Sequence, residues 1–126
     1  MKKSIISTTR VPAAIGPYSQ AIEAGGFLFA SGQLGIDPGT SQFAEGGVKE
    51  QTEQALKNVK NLLQHAGYYM DNVVKTTVFL ADMSTFADMN EIYSKYFSTD
   101  FPARSAVAVK ELPKGGLVEI EVIAAK

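Results

Sequence analysis

The stretch LVEIEVIAA, residues 117–125, alternates with a period of two. Val118, Ile120, Val122 and Ala124 fall on one side, and Glu119, Glu121 and Ile123 on the other. Side chains of a β-strand point to opposite faces in turn, so this pattern describes a strand with one face against helices and one face without them. Residues 103–109, ARSAVAV, alternate as well. Ser105, Val107 and Val109 form a mostly apolar set, while Arg104 shares its side with Ala106 and Ala108. The run Pro113 to Gly116 between the two segments is a turn signal. Joined there as a hairpin, the two strands would carry Arg104, Glu119 and Glu121 on one helix-free sheet face.

Moving towards the amino terminus, the period changes. Ala55, Leu56, Val59, Leu62, Leu63 and Ala66 make one apolar stripe that begins near Val48 and ends at Gly67, the pattern of an amphipathic helix. Phe86, Met89, Ile92, Tyr93, Tyr96 and Phe97 mark a second helix, expected to start near Ser84 or Thr85 with Asp88 in a capping arrangement. Aromatic residues at that spacing predict core. Val73 to Leu80, rich in β-branched residues, reads as a buried strand between the helices. Residues 21–24 and 27–32 flank Gly25 and Gly26, a pair suited to a tight hairpin turn. Residues 32–47 are polar and turn-rich and predict a loop with few core positions. The order is two strands, a third, a helix, a strand, a helix and two final strands. It predicts an α+β fold, a mixed sheet with two helices on one face, as a single domain over residues 1–126.

Composition narrows the function classes. With 45% hydrophobic and 20% charged residues the chain has the balance of an ordinary soluble domain, long enough to bury roughly two thirds of its unfolded surface. Net charge is −1 and the lysines are dispersed, which argues against a nucleic-acid partner. No cysteine and one histidine disfavour a disulfide framework, a thiolate nucleophile and a metal centre. No apolar run has the length of a membrane span or a signal-peptide core, so the expected compartment is the cytoplasm.

Arg104 is the residue with the clearest chemical content. Its planar fork grips a carboxylate through two parallel hydrogen bonds, and its small neighbours leave room for a guest. Two readings stand on the residues alone: a carboxylate clamp in a partly desolvated cleft between subunits, with Glu119 orienting water, or an Arg104–Glu119 salt bridge sealing an interface. An uncovered face bearing Phe, Ile and Ala would be closed by other copies of the chain. Tyr18, Ser31, Gly32 and Asn90 are by themselves consistent with packing, a strand end and a solvent-facing amide. His65 at a helix carboxyl end is a favourable dipole partner.

Residues 12–20, Ser31 to Gln33, Lys75 to Leu80, Phe101 to Ser105, Leu112 to Lys114 and Glu119 to Glu121 together closely resemble the Rid family, the reactive intermediate deaminases also called the YjgF family. The resemblance covers essentially the whole chain. It implies a chorismate-mutase-like subunit, a homotrimer with a barrel-like core and clefts between subunits, and cofactor-free hydrolysis of 2-imino acids such as 2-iminopropanoate and 2-iminobutanoate to 2-keto acids and ammonia. By the same resemblance Arg104 binds the substrate carboxylate, Glu119 positions the attacking water, and Tyr18, Ser31, Gly32 and Asn90 line or support the cleft. Many relatives carry cysteine two residues after the arginine, where this chain has Ala106. The alternatives are a non-catalytic 2-keto acid sensor using the same arginine, a chaperone-like protein acting through apolar inter-subunit faces, and a ribonuclease or translation inhibitor, against which the single histidine and the lack of a basic stripe argue.

Overall fold

The computed structural model describes residues 2–97 and 99–126. Its strands are β1 (Lys3–Ile6), β2 (Ala21–Ala24), β3 (Phe27–Ala30), β4 (Gln33–Leu34), β5 (Ile36–Asp37), β6 (Gln42–Phe43), β7 (Val73–Leu80), β8 (Ala103–Ala108) and β9 (Val118–Ala125). Helix α1 (Val48–His65) precedes β7, and α2 (Phe86–Tyr96) lies between β7 and β8. The main sheet runs β1-β2-β3-β9-β7-β8, with β4 adding to β9 beyond the end of β3; β5 and β6 form a separate small ribbon. This is the mixed α+β architecture expected, with a buried face against the two helices.

The β2–β3 hairpin turns at Gly25 and Gly26, whose φ values of 59° and 82° are the left-handed pair that such a turn requires. Helix α1 buries Ala55, Leu56, Val59, Leu62 and Leu63, the stripe read from the sequence. They pack against Val118, Ile120, Val122 and Ala124 of β9 and Val78 and Leu80 of β7 in one core. In α2, Met89, Ile92 and Tyr93 are buried, as is Phe97 just past its end. The cap differs from expectation. Thr85 makes no side-chain cap bond; instead Asp82 accepts from the Ser84 amide at 2.8 Å and starts a short 3₁₀ turn ahead of α2.

The predicted hairpin between residues 103–109 and 117–125 does not form. Strand β8 pairs in parallel with β7, while β9 pairs antiparallel with the other edge of β7. The physical reason is α2: a helix connecting two adjacent strands returns the chain in the same direction, producing a parallel β-α-β unit. The segment 113–115 is a 3₁₀ turn within a longer connection that carries the chain past β7. Residues 32–47 also hold more structure than a loop, because β4, β5 and β6 form there and Gln33 and Ile36 are buried. Strand β1 adds an edge not assigned from the sequence.

Buried Asn58 of α1 fixes this region. Its amide donates to the carbonyls of Leu34 at 3.1 Å and Ile36 at 2.9 Å, so one side chain satisfies two backbone acceptors. Asn58→Ala leaves both unsatisfied, and the expected loss is about 2–4 kcal/mol of unfolding free energy in urea titration at fixed protein concentration.

Candidate active site

Where β3 ends and β4 resumes pairing with β9, the chain bulges at Ser31 and Gly32 and opens a groove beside Glu119. The resulting cleft of about 580 Å³ is walled by Pro12, Ile15, Tyr18, Leu34 and Pro113, with Ser31, Gly32 and Glu119 inside. The lead-in segment is held by Gln20, a buried residue given no role in the sequence reading. Its side chain accepts from the Thr8 amide and donates to the carbonyls of Thr8 and Pro12. A lone glutamine before a strand carries no periodic signal that would reveal this.

Ser31 belongs to the same clasp. Its amide donates to the Gln20 carbonyl at 2.9 Å and its hydroxyl to the Ser19 carbonyl at 2.6 Å. The Ser31 proton is therefore committed within the chain, which leaves the hydroxyl oxygen of this cleft residue as an acceptor. Tyr18 is 53% exposed and presents its ring at the cleft wall. Gly32 has a steric reason to be glycine: a Cβ there would stand 2.8 Å from the Glu119 carboxyl carbon. The Glu119 side chain passes close over the bare backbone there.

Glu119 is half-buried, and its carboxyl is pushed above the usual glutamate range, first by burial and then by the like charge of Glu121. No cation lies within ion-pair distance of it among the described residues, where the one salt bridge joins Lys49 to Glu91 at 3.1 Å. A desolvated carboxylate poised this way in an apolar-walled groove is suited to taking and returning a proton.

Arg104 is elsewhere. It is paired in register with Thr76 of β7, which faces the helices, whereas Glu119 is paired with Phe79, which does not. Arg104 and Glu119 thus occupy opposite faces of the sheet, so neither the shared face nor the Arg104–Glu119 salt bridge exists within one chain. The alternation of β8 is the expected one, but the Arg104 side faces the helices instead of the helix-free side. Arg104 instead reaches α2, donating from Nη1 to Asn90 Oδ1 at 2.7 Å, with its guanidinium carbon 4.7 Å from the Tyr93 ring centre and 5.4 Å from that of Phe86. Asn90 is an arginine partner rather than a solvated amide. Ala106 follows on the same face, half-buried against the core. One chain therefore assembles two groups: Tyr18, Ser31, Gly32 and Glu119 in the cleft, and Asn90, Arg104 and Ala106 under α2. Glu121, the other acidic residue of β9, lies at the cleft margin. Among the described residues no cluster of three histidine, aspartate or glutamate side chains could hold a metal ion.

The family model described as Endoribonuclease L-PSP matches residues 8–126. A solved structure of YyfA from Yersinia pestis, a protein of unknown function in the conserved Rid protein family, is 50% identical with a TM-score of 0.96 and covers 99% of this chain and 100% of its own. The chain belongs to the Rid family. A mouse relative named 2-iminobutanoate/2-iminopropanoate deaminase is 53% identical over 122 residues, 97% of this chain and 90% of that one. The crystal structure of E. coli TdcF with bound serine matches with a TM-score of 0.93 at 40% identity over 98% of both chains. The Rid fold is thus shared along nearly the whole chain.

The raised carboxyl has a measurable sign. As pH climbs from the unfolded-state value through the higher folded one, ionising Glu119 progressively removes stability. Glu119→Gln is expected to melt above wild type at pH 7 and together with it at pH 3. Carboxyl NMR titration should place the Glu119 midpoint above 4.5, the ordinary value, and Glu121→Gln should lower it without restoring it, since burial is the larger cause.

Proposed function

We propose that this protein hydrolyses small 2-imino acids such as 2-iminopropanoate and 2-iminobutanoate to 2-keto acids and ammonia, in clefts that two subunits of a homotrimer complete together. The observation that carries this reading is the state of Arg104: a part-buried guanidinium held by a neutral amide and two rings, with no carboxylate in ion-pair range among the described residues. Such a fork is complementary to the carboxylate of a guest. The named activity of the mouse relative agrees with it.

Because Arg104 and Glu119 lie on opposite sheet faces, a single chain offers each with no route to a common small substrate. A neighbouring copy resolves this by bringing its own arginine edge to the Glu119 cleft. The helix-free face supports assembly, with Phe27, Phe29 and Val107 each 45–47% exposed on a surface poorly suited to water. A chorismate-mutase-like trimer, sheets inside and helices outside, covers that face. No helix among the described residues is long and apolar enough to cross a membrane, and a cytoplasmic setting belongs to the same proposal.

In the completed cleft Arg104 holds the substrate carboxylate and Glu119 orients water against the imine carbon. Water oxygen bonds to the carbon of the protonated imine as the C=N π pair moves to nitrogen and Glu119 takes a water proton, giving a neutral carbinolamine. Glu119 then returns the proton to nitrogen, the C–N bond breaks with its electron pair leaving on nitrogen, and the hydroxyl proton is released as the carbonyl forms. A protonated imine is already electrophilic, so orientation and proton handling are the protein's share. Tyr18 and Ser31 line the pocket, and Ala106 leaves space where many relatives carry cysteine.

A 2-keto acid sensor would use the same arginine, and turnover separates the two. With imine generated in place, wild type should release ammonia faster than buffer, and Arg104→Ala should lower kcat/KM about 100-fold or more. Wild type should lose activity as pH falls through the elevated Glu119 value, and Glu119→Gln should lack that acid limb. No acceleration over buffer by wild type would rule out the deaminase.

A further inference from the structure

Helix α2 meets Arg104 with a single stripe: Phe86, Asn90, Tyr93 and then Phe97 are spaced as successive neighbours along one helix face. The guanidinium carbon sits over the rings of Phe86 and Tyr93, and Asn90 lies between them in sequence and accepts one Nη1 hydrogen bond. Tyr93 is itself fixed. Its hydroxyl and the buried Thr76 Oγ1 are 2.8 Å apart, and its ring lies 4.7 Å from that of Phe97.

This arrangement holds a cation without spending it. The two rings beside the guanidinium carbon bring no counter-charge, whereas a carboxylate partner would occupy the fork and cancel the charge. Asn90, being neutral, uses one donor and adds no counter-charge.

We propose that Phe86 and Tyr93 are positioning residues for substrate recognition, orienting the Arg104 guanidinium edge-out and un-neutralised so that it receives the carboxylate of a 2-imino or 2-keto acid. The assignment rests on the reading of Arg104 as the carboxylate clamp. It gives the aromatic residues of α2, expected from the sequence to be core alone, a second task.

Calorimetric titration with 2-ketobutanoate, a product that undergoes no reaction, tests it on the full-length protein. Phe86→Leu should weaken binding roughly 3- to 30-fold. Phe86→Tyr and Tyr93→Phe, which keep the rings, should stay within about threefold of wild type. Melting curves report whether each variant is folded. Should the leucine variant melt early, Asn90→Asp serves instead: it places a counter-charge on the fork and should abolish binding in a folded protein. Wild-type affinity in folded Phe86→Leu, or in Asn90→Asp, overturns the proposal. If wild type binds the keto acid yet turns over no imine, the deaminase reading falls and the role of the rings stands. If wild type fails to bind it, the carboxylate clamp and the proposal fall together.

Discussion

Strand β9 is the constraint on which the rest depends. It is hydrogen-bonded along both edges, to β3 and β4 on one and to β7 on the other. Its period of two then assigns every side chain: Val118, Ile120, Val122 and Ala124 are committed to the core under α1, and Glu119 and Glu121 to the opposite face. A one-residue slip would bury two carboxylates and expose the apolar set, so register and site are fixed by the same interaction. The interruption at Ser31 and Gly32 on the neighbouring strand then decides that Glu119 faces a groove rather than a closed ladder.

The sheet also keeps opposite charges apart. Within one chain, Arg104 faces the helices and Glu119 faces away, so neither neutralises the other. An Arg104–Glu119 pair in a single subunit would have to be broken before a substrate carboxylate could bind, which would weaken recognition. In the proposed trimer, distributing the two across a subunit boundary would let each remain unpaired in its own chain. The arginine is held by rings and an amide, and the carboxylate by burial beside Glu121.

Much of this was legible in the sequence. Alternation in residues 117–125 and 103–109 and the stripe from Ala55 to Ala66 identified strands, helix and face parity, because these periods follow directly from backbone geometry. Partner choice was less accessible. Arg104, Ala106 and Ala108 make as plausible a solvent face as a helix face, and a proline-glycine turn invited a hairpin that the helix crossover displaced. Strands β4, β5 and β6 have two residues each, too short to display a period. Gln20 and Asn58, whose buried amides shape the cleft, look like ordinary surface polar residues until the carbonyls they satisfy are known.

The central claim, that each working cleft takes Arg104 from one subunit and Glu119 from another, is tested most directly by subunit mixing. Arg104→Ala and Glu119→Gln proteins, each with only residual activity alone, are unfolded together, refolded in equal amounts and assayed for ammonia release. The account predicts recovery of about one quarter of wild-type activity, the statistical share of clefts built from two intact halves in a randomly mixed trimer. Activity no greater than that of the separate variants, in a mixture verified to contain hybrid trimers, would contradict it.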